Sequence, residues 1–402
     1  MKVGIAASMW RGLADMPFPE YVTYCREAGA EVIELSGWPD SYARTLTLDD
    51  GGIETVRRLT GQAGIEVVAV GCPSDLAQPT VELQQAQAEL MKRYVDVAKK
   101  LGARVVGLKV GAAPEGTSDA AAVDMIVESL KRAADYAHER DTFLAVENGG
   151  TISNDVELFS RIVEKTHDLY VRYLLDFGNF LRFRYTPDEV LQITQQLGSQ
   201  TAHTHMKDGV GHGKEFRPAP LGEGEIDIPR VLRLLRVTGQ LNPICVQYEG
   251  PDQPAVYRHD VAYVKERVGG WEQPGGLVRG LHHVSISVTS FESAYRFYGE
   301  ALRLPLRPAQ GISYSPVLLF ELPTGEEFHC HLHGPSTQMH VAIEVADFED
   351  SLRRIAEAGG TLGKPDRRGD GSDFVFCSDP DGNRLEITHH KSWSQHRIVQ
   401  RF

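Results

Sequence analysis

The sequence predicts an α/β chain of two unequal parts. A (β/α)8 TIM barrel spans residues 1–268, and an α+β domain of paired βαβββ units spans 281–390. Three observations predict this. Short β-branched runs alternate with helix-period segments through the first part. A Gly- and Pro-rich stretch at 269–280, GGWEQPGGLVRG, interrupts the alternation and reads as a linker. Beyond it the chain repeats itself. His283–Ala301 and His340–Ala358 share nine of 19 positions at an offset of 57, where chance gives about one.

The strand candidates of the first part are Val3–Ser8, Glu31–Leu35, Glu66–Val70, Arg104–Val110, Phe143–Glu147, Val171–Asp176, Thr201–Met206 and Pro243–Glu249. Helical spacing marks Pro19–Ala28, Val81–Leu101, Asp119–Arg140, Asp155–Lys165, Pro187–Leu197 and Pro229–Thr238. Eight strands, most followed by a helix, suit a closed barrel. A doubly wound dinucleotide fold would carry GxGxxG after its first strand, and none is there. In the second part, each repeat begins as an alternating strand and runs into a helix. Each returns through strands that turn at Pro323-Thr324-Gly325 or Pro380-Asp381-Gly382. Residues 391–402 form a tail without pattern.

Composition narrows the function. The chain has 402 residues, 42 Lys and Arg against 55 Asp and Glu, and a net charge of −13. Such a balance argues against a phosphate backbone as partner. Five cysteines without a CxxC pair fit a reducing compartment. The apolar run before Arg11 is too short for a signal peptide, and no stretch is long enough to span a membrane. The expectation is a cytoplasmic protein acting on a small molecule, with homo-oligomerisation left open.

Barrel enzymes carry their chemistry at the C-terminal strand ends. Four such ends read Val146-Glu147-Asn148, Asp176-Phe177-Gly178-Asn179, His205-Met206-Lys207-Asp208 and Tyr248-Glu249-Gly250. Glu147, Asp176 and His205 recur at intervals of 29, about one βα unit. Three carboxylates and an imidazole suit Mn²⁺, Mg²⁺, Co²⁺ or Zn²⁺. Such an ion can chelate a carbonyl and its neighbouring hydroxyl and stabilise an enediolate. Glu147 and Glu249 are then placed to move the proton. The competing reading of each acid by itself is a helix cap or a lysine partner. Gly209–Asp227 is too long for an ordinary connection and reads as a mobile lid or pocket wall. Its Lys214 and Arg217 either take an anion or are solvated.

The motifs VEN, DFGN and HMKD, with the final Glu249, resemble the sugar phosphate isomerase/epimerase family of xylose isomerase-like barrels, over roughly Met1–Val268. The resemblance implies that Glu147, Asp176, His205 and Glu249 bind metal and that both glutamates exchange protons. Members of that family often carry histidine at the position of Asn179, where substrate is touched, so the departure bears on substrate. His203, Lys207 and Arg217 are candidates for the pocket wall, as is Lys109, whose alternative is a solvated strand end. Endonucleases of the same superfamily have many more histidine ligands and a basic groove, and this chain has neither.

In the small domain the repeat pairs His283 with His340 and His329 with Glu386, both at 57. Folding the units face to face would gather these four around Fe²⁺, Mn²⁺, Ni²⁺, Co²⁺ or Zn²⁺. HHVSISV, RFYGEALRLPL, HVAIEV and DPDGNRLEI resemble the vicinal oxygen chelate superfamily of glyoxalases and extradiol dioxygenases. The match implies one complete metal cup. His331 and His333 share a strand face with His329 and read as bystanders. His282, by strand alternation, points away from His283.

The expected function is a metal-dependent isomerase or epimerase of a ketose-like sugar or keto-cyclitol, with a second metal cup. Three alternatives stand beside it. One is a lyase resembling 3-dehydroshikimate dehydratases, and one is a dioxygenase- or glyoxalase-like activity in the small domain. The last makes the small domain a non-catalytic binding or dimerisation module.

Overall fold

The structure, a computed structural model, describes residues 1–6, 12–38, 41–42, 46–238, 242–269, 278–307, 317–322, 326–332, 339–368 and 371–390. Its contacts divide the chain into Met1–Glu272 and Gln273–Phe402. The tail 391–402, His333, the turn 323–325 and most of the linker lie outside the described residues.

The first unit contains strands β1 (Val3–Ala6), β2 (Val32–Leu35), β3 (Glu66–Cys72), β4 (Val105–Leu108), β5 (Phe143–Glu147), β6 (Val171–Asp176), β7 (Thr201–Met206), β8 (Asp208–Val210), β9 (Arg217–Ala219) and β10 (Ile244–Val246). Its helices are α1 (Phe18–Glu27), α2 (Asp50–Ala63), α3 (Val81–Leu101), α4 (Asp119–Glu139), α5 (Val156–Thr166), α6 (Phe177–Phe183), α7 (Pro187–Leu197), α8 (Ile228–Val237) and α9 (Gln253–Val268). Eight parallel strands close in the order β1-β10-β7-β6-β5-β4-β3-β2. Small side chains fill the narrow interior: Ala69, Ala145 and Ala202 pack with Val105 and Leu174. The larger apolar cluster lies between strands and helices.

Several helices begin where a side chain accepts an otherwise orphaned N–H. Thr80 caps Leu83 and Ser118 caps Ala121, both at 3.3 Å. Three helices lie outside the segments with helical spacing, and one of them, α6, is only seven residues long. α2 holds three glycines, and α9 carries buried Asp260 among its apolar positions. Its last strand, β10, is shorter than Pro243–Glu249, so Glu249 stands beyond the strand end.

The second unit contains β11 (Val278–Val288), α10 (Phe291–Ala294), β12 (Leu306–Arg307), β13 (Val317–Glu321), β14 (Glu327–Leu332), β15 (His340–Val345), α11 (Phe348–Glu357), β16 (Thr361–Leu362), β17 (Asp366–Arg367), β18 (Asp373–Ser378) and β19 (Arg384–His389). β11 thus begins inside the stretch read as linker. The strands form one sheet, β12-β13-β14-β11-β15-β19-β18-β16, with β17 on β18. The duplication reappears in the register. Val284 pairs with Phe328 across β11 and β14, and Val341 with Leu385 across β15 and β19, each partner displaced by 57. Each half builds its own small core, around Phe320 and Cys330 in one and Val375 and Ile387 in the other.

Candidate metal centres and their surroundings

The barrel site grows from three strand ends. Asp176 and His205 face each other in register across β6 and β7. The VEN and DFGN motifs are knitted together beneath them. The Asp176 N–H donates to Asn148 Oδ1 at 2.7 Å, and Asn148 Nδ2 donates to the Asp176 carbonyl at 2.9 Å. Asp176 Oδ1 caps α6 by accepting the Asn179 N–H at 3.1 Å. Asn179 Nδ2 donates in turn to the Asn148 carbonyl at 2.9 Å. Gly178 is required by packing, since a Cβ there would meet Lys207 Cβ at 2.8 Å.

Glu147, Asp176 and His205, all buried, bring ligand atoms within 4.8 Å of one another. His205 Nδ1 lies 3.3 Å from Glu147 Oε1 and 3.8 Å from Asp176 Oδ2, buried and without a hydrogen bond. Glu249 is not in this group. Its Oε1 accepts Lys207 Nζ at 2.7 Å, and its Oε2 pairs with Arg182. Lys207 Nζ also lies 2.8 Å from Asp176 Oδ2, so the buried ammonium links Glu249 to the cup. Lys109 Nζ lies 2.9 Å from Glu147 Oε2.

These cations outweigh burial. Burial alone would raise the Glu147 carboxyl, but Lys109, His205 and Lys207 hold it well below the usual carboxylate range. Glu249, also opposed by burial, is held at about 2 by Lys207 and Arg182. The Glu147 carboxylate raises Lys109. Lys207 rises against burial through Asp176 and Glu249.

A cavity of about 200 Å³ opens over this cup. Its wall includes Glu34, Trp38, Lys109, Glu147, Asn179, Arg182, His205 and Glu249. Its size suits a small ligand rather than a drug-sized one. Of the residues read as substrate contacts, Lys109 and Asn179 stand on that wall and Lys207 sits behind it. Arg217 is exposed on β9 and outside the wall, which removes the geometric ground for a contact there. His203 is fully buried and turned onto Glu34 at 2.8 Å, also outside that wall. Sequence reasoning missed Glu34, Trp38 and Arg182. The signal for Glu34 was an acid in the otherwise apolar β2.

The loop after β7 departs from a bare lid. β8 and β9 pair as a hairpin. Asp208 accepts backbone N–H groups from Gly209, Gly222, Gly224 and Ile226 at 2.8–3.1 Å, tying the loop to the barrel. Arg182 stacks on Phe216 from this loop at 5.0 Å.

In the small domain His283, His340 and Glu386 offer ligand atoms within 4.8 Å. His283 Nε2 lies 3.0 Å from His340 Nε2, which is 3.2 Å from Glu386 Oε2. His329 is turned aside: its Nε2 meets Glu327 Oε2 at 2.9 Å and its ring stacks on His283 at 4.0 Å. Arg368 pairs with the other Glu386 oxygen. His282 does not point away from His283. A register shift between Leu281 and His283 breaks the alternation, and the two Nδ1 atoms lie 2.8 Å apart. All five cysteines are free and buried. Among the described residues no helix is long and apolar enough to cross a membrane.

Fold and site together define a barrel with an acidic, histidine-containing cup, joined to a duplicated sheet domain with its own. The xylose isomerase-like TIM barrel profile matches residues 22–267, and the chain belongs to that family. The glyoxalase/bleomycin resistance protein/dioxygenase superfamily profile matches residues 280–387, and the small domain has that fold. A curated relative, the uncharacterized protein y4fM of Sinorhizobium fredii, is 25% identical over 248 residues, 54% of this chain and 77% of that protein. Three solved structures share the fold. A D-tagatose 3-epimerase-like protein matches at TM-score 0.55 and 19% identity, over 67% of this chain and 97% of its own. A xylose isomerase-like TIM barrel protein from Mycobacterium smegmatis in complex with magnesium matches at 0.54 and 19%, over 66% and 96%. A xylose isomerase-like TIM barrel/4-hydroxyphenylpyruvate dioxygenase fusion protein matches at 0.52 and 16%, over 98% and 68%.

Proposed function

We propose that the barrel is a metal-dependent isomerase or epimerase acting on a ketose-like sugar or keto-cyclitol through an enediolate. The observation that carries this reading is the cup of Glu147, Asp176 and His205, with the His205 Nδ1 buried and unbonded. Two carboxylates and an imidazole, without thiolate, fit Mn²⁺, Mg²⁺, Co²⁺ or Zn²⁺. An ion bound there would polarise a carbonyl with its neighbouring hydroxyl and acidify the hydroxyl-bearing carbon beside the carbonyl.

The chain's own residues supply the proton chemistry. Glu147 and Glu249 are ionised at neutral pH, so either can accept the carbon-bound proton. Lys109 beside one and Lys207 beside the other offset the charges gathered in the cavity. Glu249 works from the cavity wall, with its two oxygens held by Lys207 and Arg182. The likeness to an epimerase-like protein is in keeping with this reading, and the magnesium complex with its metal. The test is interconversion of a ketohexose and keto-cyclitol panel by chelator-stripped and Mn²⁺-reloaded protein. Activity is expected only after reloading and is lost in Glu147→Gln. A conjugated, dehydrated product would establish the lyase reading instead.

For the small domain, the turning aside of His329 favours a three-ligand cup over a four-ligand one. Two histidines and a carboxylate with open positions suit a non-haem Fe²⁺ site of dioxygenase type. The double variant His340→Ala with Glu386→Ala should lose one metal equivalent. Unchanged metal content would support the binding or dimerisation module.

A further inference from the structure

We propose that Glu34 is a positioning residue of the barrel site. Its carboxylate reaches across the barrel to fix His203 and His205 through their Nε2 atoms, turning His205 Nδ1 toward Glu147 and Asp176. This rests on reading that cup as a metal site.

Glu34 lies on β2 and both histidines on β7, strands separated in the closed sheet by β1 and β10. The contact therefore crosses the interior. On β2 Val32 shares the interior face with Glu34, while Ile33 and Leu35 point to the helices, and all three are fully buried. A carboxylate there is costly unless its oxygens are bonded. Among the described residues, two bonds meet it, both at Oε2: His203 Nε2 at 2.8 Å and His205 Nε2 at 2.7 Å.

An imidazole that donates through Nε2 keeps its lone pair on Nδ1 for a metal. For His205 that atom faces Glu147 Oε1 and Asp176 Oδ2 at 3.3 and 3.8 Å and has no hydrogen bond. A carboxylate behind a ligating histidine fixes the ring and its tautomer, and losing it weakens metal binding. His203 has a matching part: it shares Oε2 and stands edge-on to His205, with ring centroids 5.6 Å apart. It anchors Glu34 and does not meet substrate.

Glu34, His203 and His205 also form a cluster that could hold an ion of their own. The test separates the two arrangements. Mn²⁺ binding to the full chain is measured by equilibrium dialysis, with Asp176→Asn defining the barrel-bound fraction. Glu34→Gln should weaken that fraction by roughly 10- to 100-fold with unchanged circular dichroism. His203→Gln should weaken it less, and it carries the test should Glu34→Gln fail to fold. In ¹⁵N-histidine spectra of the zinc-loaded chain, His205 should carry its proton on Nε2 and lose that single tautomer in Glu34→Gln. Unchanged affinity and tautomer in a folded Glu34→Gln protein overturn the proposal and leave the metal reading intact. A Mn²⁺ that survives Asp176→Asn and is lost with Glu34→Gln also overturns it. Mn²⁺ binding untouched by Asp176→Asn and Glu34→Gln alike refutes the metal reading itself, and the proposal falls with it.

Discussion

At the scale of single residues the site is a set of carboxylates, each answered by a cation or an imidazole. Glu147 has Lys109, Glu249 has Arg182, and Lys207 serves Asp176 and Glu249 together. Removing one member strands a buried charge, which typically costs about 3–5 kcal/mol. Lys207→Met should therefore lower the unfolding free energy by that order in chemical denaturation. Away from the cup, Asp260 gives a pH signature. Burial pushes its carboxyl up to about 6, against the hydrogen bonds it accepts from His259 Nδ1 and the Leu221 N–H. Its folded pKa is raised, so the folded chain keeps a proton that the unfolded chain has lost. Stability should fall as pH rises from about 4 to about 6, by roughly 3 kcal/mol in total. Asp260→Asn should flatten that slope in thermal melts at pH 4 to 7. Glu147, Asp176 and His205 were legible because they end successive strands at one spacing. Glu34 was not, because its meaning depends on histidines 169 and 171 residues away.

At the scale of elements, the loop after β7 shows how one side chain organises a segment. Asp208 accepts four backbone N–H groups spread from Gly209 to Ile226. Asp208→Ala leaves those donors without their charged acceptor. It should cost at least about 2 kcal/mol and speed hydrogen exchange at Gly222, Gly224 and Ile226. Unchanged exchange would show that the loop holds itself. The sequence exposed the loop's length but not this staple, because no local pattern links Asp208 to glycines 14 and 16 residues on. The same limit hid His282. Alternation is a sound rule until a bulge breaks it, and the bulge at Leu281–His283 depends on the pairing of β11 with β15.

At the scale of the whole molecule, each of two units has apolar packing of its own and a candidate metal cup. This architecture was legible because it rests on periodic signals: eight strands in alternation, then a repeat at 57 that returns in the sheet register. Purified protein should bind about two metal equivalents, one lost in Asp176→Asn and the other in the His340→Ala, Glu386→Ala double variant. The central claim is the proposal that Glu147 and Glu249 exchange a proton at the hydroxyl-bearing carbon beside the substrate carbonyl. Its most direct measurement is NMR of a turned-over ketose in D2O. The account predicts deuterium at the carbon beside the carbonyl in both substrate and product, abolished by Glu147→Gln. Turnover without deuterium at that carbon would contradict it.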